Sequence, residues 1–170
     1  MRLFISINLP QGLYRYLSQM QSSFQGLKTT KEFHITIQFL GDEISEDVSQ
    51  KIIDSLSGIK FQPFSVVMGD IHPFPDTENP RGVWVECKNS DKLLSIADII
   101  RNQMEGLGFM ADKPFKAHIT LGRYKFPPAK KPVQVKGEPH EFTVDKIYLM
   151  ESRFGDGGPQ YRTISEFSAS

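Results

Sequence analysis

Apolar residues in the first half of the chain recur at spacings that predict two strands and two helices. Residues 2–8 (RLFISIN) and 33–40 (FHITIQFL) are rich in branched and aromatic side chains, which is typical of strands. Between them, apolar residues at helical spacing predict a helix that ends near Gly26. A second helix is predicted to begin at Ser45, a residue type that caps helices, and to stop at Gly58.

The second half continues with strands, one helix and a loop rich in turn-forming residues. Strands are predicted at residues 61–69, 82–88, 116–124, 141–145, 146–151 and 161–167. A third helix is predicted from about residue 91 to 105, with Ser90 as its cap and Gly106 and Gly108 as its terminator. Residues 70–81 (DIHPFPDTENPR) are predicted to form a loop, because proline, aspartate and asparagine interrupt regular structure.

The order strand, helix, strand occurs twice, and each copy ends on the same tetrapeptide pattern. Residues 34–37 read HITI and residues 118–121 read HITL, about half a chain length apart. With so few histidines and threonines in 170 residues, two His-x-Thr pairs arise by chance with a probability of roughly 1%. Because no low-complexity linker separates the copies, we expect two similar lobes within one domain spanning residues 1–170.

Strand geometry gives this repeat a chemical meaning. Successive side chains of a strand point to opposite faces, so His34 and Thr36 share one face, and His118 and Thr120 share another. If a pseudo-twofold axis relates the lobes, these four side chains converge on a cleft. Duplication without function is the alternative, although it explains the repeated aliphatic residues better than the repeated polar ones.

Two histidines that face a common centre fit in-line phosphoryl transfer. One side of such a reaction needs a base and the other an acid, and an imidazole can serve as either near neutral pH. The threonine hydroxyls can donate hydrogen bonds to phosphate oxygens, and Arg123 offers a planar donor fork that matches phosphate. An unbroken strand would turn Arg123 away from His118, so we expect a bulge at Gly122 that re-aims it; a surface ion pair is the alternative role for Arg123.

The whole chain resembles the two-histidine phosphoesterase superfamily, and within it the RNA 2′,3′-cyclic phosphodiesterases once called 2′-5′ RNA ligases. The two blocks FHITIQFLGD and KPFKAHITLGRY, with the trailing arginine, are the specific part of this resemblance. The opening RLFISINLP, the segment FPDTENPRGVWVEC and the ending IYLMESRFGDGGPQYRTISEF add weaker similarity. The resemblance thus extends over nearly all 170 residues.

The resemblance implies an α+β, bilobal fold in which two pseudo-symmetric lobes of antiparallel sheet, with outer helices, surround a central cleft. It also implies metal-independent hydrolysis of 2′,3′-cyclic phosphate ends of RNA or oligonucleotides to 2′-phosphates, as in RNA processing, with no cofactor. Carried over by position, His34 is the acid that protonates the departing 3′ oxygen and His118 is the base that activates water. Thr36, Thr120 and Arg123 hold the phosphate.

Composition narrows the partners. Lysine plus arginine and aspartate plus glutamate both total 20, so the chain lacks the basic excess of a protein that coats long nucleic acid. One cysteine excludes an internal disulfide, and no stretch is apolar enough for a signal peptide or a membrane span. We expect a cytoplasmic monomer without a membrane or an obligate protein partner, which binds RNA or oligonucleotide 3′ ends or nucleotides with a cyclic phosphate.

Other polar residues are assigned mainly structural roles. His72 and His140 lack the His-x-Thr pattern, and no third residue stands at a spacing that would complete a metal site. The segment 125–132 (KFPPAKKP) is either a solvated loop or a basic rim for the RNA backbone. FGDGGP is expected to be a turn rather than a phosphate cradle, because no P-loop lysine follows it.

Three hypotheses about function stay open at the level of sequence. The first is hydrolysis of cyclic phosphate ends of RNA, with reverse 2′-5′ ligation as an added possibility. The second is a phosphodiesterase that acts on a small cyclic nucleotide, an ADP-ribose cyclic phosphate or a 2′-5′ linked oligonucleotide. The third is a non-catalytic protein that binds RNA ends or nucleotides.

Overall fold

The structure is a computed structural model that describes residues 1–88 and 91–170. Within these residues three α-helices and nine strands follow one another as β1 (Leu3–Asn8), α1 (Tyr14–Gln21), β2 (Lys28–Thr29), β3 (His34–Gly41), α2 (Glu46–Ser57), β4 (Phe64–Phe74), β5 (Gly82–Lys88), α3 (Asp91–Gly106), β6 (His118–Arg123), β7 (Glu141–Val144), β8 (Lys146–Gly155) and β9 (Gly158–Ser168). A short 3-10 turn at Gln11–Leu13 precedes α1.

The strands form two antiparallel sheets, one for each lobe. The first sheet has the order β3-β1-β8-β9 and the second has the order β2-β6-β5-β4-β7. In both lobes the motif strand pairs antiparallel with the strand that precedes its helix, β3 with β1 and β6 with β5. The predicted α+β architecture with two lobes of antiparallel sheet is therefore confirmed.

The helices tie the two lobes together. α1 contacts β6 of the second sheet, while α3 contacts β3 of the first sheet and β4 of the second. The apolar side chains of both sheets and all three helices belong to one buried cluster, which includes Ile35 and Ile119 from the inner faces of the motif strands. This packing is what a single domain over residues 1–170 requires, and the single domain stays our prediction for how the chain folds.

The second helix shows how local sequence sets its ends. The Ser45 hydroxyl accepts a hydrogen bond from the Val48 N–H at 3.3 Å. The acidic residues Glu46 and Asp47 lie in the first turn, where their negative charges interact favourably with the positive end of the helix dipole. The helix ends before Gly58. Both predicted ends of α2 are thus confirmed. Ser90, the predicted cap of α3, lies outside the described residues.

Several predicted boundaries are wrong, including the end of β8 and the start of β9, which approach each other more closely than predicted. The first helix ends at Gln21 rather than near Gly26 because turns replace its last predicted part, and Phe24 still reaches the core from them. Strand β4 begins at Phe64 and continues through Phe74, into the segment predicted to be a loop. Ile71 bonds Val135 on the edge of β4 away from β5, so the nitrogen of Pro73, two residues on, faces that same edge. Pro73 is tolerated because β7 covers only the first four residues of β4 there.

Candidate active site

All five residues predicted from the repeat line one cavity of about 730 Å³ between the two sheets. His34 and Thr36 enter it from β3, and His118, Thr120 and Arg123 enter it from β6. Along β3 and β6 the isoleucines at 35 and 119 point into the core, so the alternation predicted from sequence holds. The two motif strands contact each other although they belong to different sheets.

His34 lies in a dry, aromatic environment. The rings of Phe4 and Tyr161 each lie 5.2 Å from its imidazole, measured between ring centroids. Burial, together with a smaller repulsion from His118, lowers the pKa of His34 to about 4. The imidazole is therefore neutral at pH 7, and an anion bound beside it would favour the protonated form.

His118 is oriented by its own backbone. Its Nδ1 lies 2.7 Å from the carbonyl oxygen of Lys116, which can only accept, so Nδ1 carries the proton. The neutral ring then presents an unprotonated Nε2. Burial lowers the pKa of His118, and the hydrogen bond to the Lys116 carbonyl partly offsets this effect. The positive charges of Lys116 and Arg123 lower the pKa further. The Trp84 ring packs against the imidazole at 4.3 Å between centroids and restricts its rotation.

Arg123 reaches the cavity because β6 is bulged, as predicted. Val83 and Trp84 are consecutive in β5, but they pair with Gly122 and Thr120 of β6. Leu121 is therefore the extra residue of the bulge. Leu121 and Gly122 are both buried, and Arg123 returns to the face of His118 and Thr120. Its guanidinium lies over the Phe74 ring at 5.4 Å, and no carboxylate pairs with it within residues 1–88 and 91–170.

The bulge is held in place by a residue that the sequence analysis did not single out. The side-chain Nε2 of Gln21 donates to the carbonyls of Leu121 at 2.8 Å and Thr30 at 2.7 Å. The backbone N–H of Thr30 also donates to the Leu121 carbonyl, at 2.9 Å. Gln21 follows Leu17 of the predicted apolar stripe by one helical turn, and a polar residue at that position is the signal that could have identified it.

The cavity is more basic than the net charge suggests. Four cationic side chains line it, and Glu32 is the one carboxylate among its lining residues: the cations are Arg2, Lys28, Lys31 and Arg123. Arg2 is paired with Asp42 and lies over the Phe39 ring at 4.4 Å. Positive charge is thus concentrated at the cavity while the chain as a whole is neutral.

The other candidates lie away from this cavity. His72 bonds Glu86 at 3.0 Å, and His140 bonds Glu138 at 3.2 Å, as expected for structural histidines. The lysines of segment 125–132 do not line the cavity, and Lys131 pairs with Glu78 at 2.6 Å. The solvated-loop alternative for that segment fits these positions, and a basic rim beyond the cavity stays a prediction. FGDGGP contains the predicted turn at Asp156 and Gly157, and its other four residues pair as the ends of β8 and β9.

Two features are absent from residues 1–88 and 91–170, a metal-binding cluster and a membrane-spanning helix. Among these residues, no three His, Cys, Asp or Glu side chains are grouped so that they could hold a metal ion. No helix in the same part of the chain has the length and hydrophobicity needed to cross a membrane.

Comparisons with known proteins show which family model and which named proteins the chain resembles. A family model described as the 2′-5′ RNA ligase superfamily matches residues 10–156. A protein of Archaeoglobus fulgidus named RNA 2′,3′-cyclic phosphodiesterase is 33% identical over 74% of this chain and 73% of its own length. A protein of the same name from Methanocaldococcus jannaschii is 29% identical over 98% of this chain and 100% of its own length.

Solved structures give the same picture of the fold. A crystal structure of a Thermus thermophilus protein matches with a TM-score of 0.82 and 29% identity, over 99% of this chain and 97% of the other. The crystal structure of Escherichia coli LigT complexed with 3′-AMP matches with a TM-score of 0.86 over 99% of this chain and 98% of the other, and its 23% identity shows the fold alone.

Proposed function

The chain belongs to the 2′-5′ RNA ligase superfamily, and from that premise we propose that it is a hydrolase that opens 2′,3′-cyclic phosphate ends of RNA or oligonucleotides to 2′-phosphates. The relatives named RNA 2′,3′-cyclic phosphodiesterase support this activity. The observation that carries it is the convergence of two His-x-Thr strands, from different sheets, on one basic cavity.

His118 is the general base of the proposed reaction. Its Nδ1–H is bound to the Lys116 carbonyl, so the Nε2 lone pair faces the reacting water and can take its proton. As water attacks phosphorus, a new P–O bond forms and the bond from phosphorus to the 3′ oxygen breaks. His118 then carries one proton more than before and returns it to solvent after the product leaves.

His34 is the general acid on the opposite side. It donates a proton to the departing 3′ oxygen and ends the reaction neutral. Since burial lowers the pKa of His34 to about 4, it must acquire its proton together with the substrate. The negative phosphate supplies the reason, because an opposite charge close by stabilises the imidazolium.

Thr36, Thr120 and Arg123 hold the phosphate in this proposal. The two hydroxyls donate hydrogen bonds to non-bridging oxygens, and the guanidinium neutralises the charge that accumulates on them in the transition state. Because the cavity is complete within one chain, this chemistry supports action as a monomer on RNA or oligonucleotide 3′ ends. A cytoplasmic location is the expected place for such a substrate.

The proposed activity is tested by incubating the protein with an oligonucleotide that ends in a 2′,3′-cyclic phosphate, in buffer with EDTA, and identifying the product isomer. The expected product is the 2′-phosphate. A 3′-phosphate product would contradict the roles of His34 and His118, and loss of activity in the chelator would contradict a mechanism that needs only these side chains.

A further inference from the structure

We propose that Lys28, Lys31 and the glycine turn between β8 and β9 form a second anion subsite, which binds the phosphodiester next to the cyclic phosphate. An oligonucleotide end is then the preferred substrate, and a cyclic mononucleotide is a poor one. This inference rests on the proposed function and chooses between the RNA-end and small-nucleotide hypotheses.

The subsite adjoins the residues that hold the reacting phosphate. Lys28 lies on β2 directly opposite Arg123 on β6, so their backbones are one strand spacing apart, about 5 Å. Lys31 lies three residues before His34. Both lysines are exposed and line the same cavity as the two motifs. An RNA chain whose cyclic phosphate is bound at the two motifs, and which extends towards β2, therefore passes these two ammonium groups.

The charges of Lys28 and Lys31 are not neutralised within the described part of the chain. The ion pairs among residues 1–88 and 91–170 involve neither lysine. By contrast, Arg2 at the same cavity is paired with Asp42, and Lys131 outside it is paired with Glu78. Two cations that form no ion pair, at a cavity with Glu32 as the one carboxylate in its lining, are suited to an anion that arrives from outside.

The glycine turn forms the opposing wall of the subsite. Asp156 and Gly157 connect β8 to β9, and Gly158 has a φ of +106°, a conformation that favours glycine. A Cβ placed on Gly157 would lie 3.4 Å from the Lys31 Nζ, and one placed on Gly158 would lie 3.7 Å from the Lys28 Nζ. Both ammonium groups therefore lie against the turn, and a side chain larger than a methyl group would compete with a ligand for the space beside them.

The chemistry of the two lysines favours a phosphodiester of the chain over the reacting phosphate. Lysine is a compact charge on a flexible stem, which suits a backbone phosphate whose orientation is variable, whereas arginine suits fixed bidentate binding. A cyclic mononucleotide has one phosphate, and the two motifs already bind it. The cavity, at about 730 Å³, lies towards the upper end of the usual 300–1,000 Å³ range of ligand sites and leaves room for a second nucleotide.

The test compares three substrates: a 2′,3′-cyclic mononucleotide, a dinucleotide that ends in the same cyclic phosphate, and that dinucleotide with an uncharged methylphosphonate linkage. We expect kcat/KM for the charged dinucleotide to exceed that for each of the other two by about tenfold or more, the effect of one or two charge-assisted contacts. Equal kcat/KM for the charged and uncharged dinucleotides would overturn the inference.

Variants then assign the preference to the two lysines. In the double variant Lys28→Ala, Lys31→Ala the ratio of charged to uncharged dinucleotide should fall to about one, and in Lys28→Arg, Lys31→Arg most of it should survive. The matched control is Lys51→Ala with Lys60→Ala, which removes the same charge from exposed positions outside the cavity and should keep the wild-type ratio. An unchanged ratio in the Lys28, Lys31 double alanine variant would contradict the assignment.

The outcomes separate this inference from the proposed function. If the protein opens none of the three cyclic phosphates, the proposed function fails. If it opens the mononucleotide as well as it opens the charged dinucleotide, the proposed function stands and the second subsite is refuted.

Discussion

The two motif strands have the same backbone irregularity and end in different side chains. In both strands one extra residue interrupts the pairing directly after the threonine. In β3 this residue is Ile37, because its neighbours Thr36 and Gln38 pair with consecutive residues of β1. In β6 it is Leu121, whose neighbours pair with consecutive residues of β5. The next residue is buried in both strands, Gln38 in one and Gly122 in the other. The residue after that returns to the cavity, which makes Phe39 the counterpart of Arg123.

This difference separates the roles of the two lobes. The first lobe gives the cavity aromatic surface and a histidine whose pKa is lowered to about 4 between Phe4 and Tyr161. The second lobe gives it a guanidinium and a histidine whose Nδ1 is fixed by a carbonyl. The same backbone therefore supplies an acid that depends on the substrate for its proton and a base that is already in the required tautomer.

Removal of the base should have the largest effect. His118→Ala should lower kcat by roughly 10²–10⁴-fold, the usual contribution of a positioned general base. Single-turnover cleavage of a cyclic-phosphate oligonucleotide measures it. His140→Ala, a histidine outside the cavity, is the matched control and should keep the wild-type rate. A non-catalytic binder would show no turnover in the wild type and at most a modest loss of affinity in the variant.

Making the second lobe resemble the first should cost about 100-fold in kcat/KM. Arg123→Phe removes charge-assisted hydrogen bonds to the phosphate, each worth about 1.5–3 kcal/mol. The double variant Arg123→Phe, Phe39→Arg should not regain activity. Its new guanidinium would lie next to that of Arg2, on the His34 side of the cavity, and not at the place that Arg123 occupies. Steady-state kinetics compares these variants with Arg15→Phe, an exposed position on α1. Full recovery in the exchanged double variant would contradict the division between lobes.

A side chain at Gly122 should destabilise the second lobe, although the first lobe has a side chain, that of Gln38, at the equivalent position. A Cβ on Gly122 would lie 2.5 Å from the Lys28 carbonyl oxygen and 2.8 Å from the Leu27 side chain. Gly122→Ala must therefore displace β2, at a cost of about 3 kcal/mol, the upper end for overpacking. Urea unfolding measures it against Gly12→Ala, where no atom lies within 4 Å of the added Cβ. Equal stability of the two variants would show that β2 yields without cost.

Acid should weaken the fold more through His34 than through His118. The folded pKa of His34 is about 4 and its unfolded pKa is about 6.5, so below pH 6.5 the unfolded state binds the extra proton and stability falls. This contributes a loss of about 2 kcal/mol between pH 8 and pH 5. Urea unfolding of His34→Asn should lack that part of the loss, and His118→Asn should lack less. The reverse order would contradict the burial difference between the two rings.

Much of the site could be predicted from sequence because it depends on local geometry. Alternation along a strand places His34 with Thr36 and His118 with Thr120. Arg123 is five positions from His118, an odd number that would turn it to the other face, and the glycine directly before it predicted the bulge that corrects this. The matching bulge in β3 was not predicted, because Gln38 has no conformational preference that marks one. Phe39 at the cavity was therefore missed as well.

The remaining parts depend on tertiary contacts that have no pattern in the chain. β2 has only two residues and pairs with β6, which lies about 90 positions away, so neither strand periodicity nor spacing indicates that Lys28 reaches the cavity. Gln21 was missed because its partners, the carbonyls of Thr30 and Leu121, are defined only by the fold. The continuation of β4 past Pro73 depends on an unpaired sheet edge, which composition cannot show.

The most direct test of the division between His34 and His118 uses a substrate whose leaving atom needs no proton. We would measure cleavage by His34→Ala and His118→Ala of cyclic phosphates with oxygen or sulfur at the 3′ position, since a thiolate leaves without general acid catalysis. Sulfur should restore His34→Ala to within about tenfold of wild type and leave His118→Ala slower by about 100-fold or more. Rescue of His118→Ala, or of neither variant, would contradict this division.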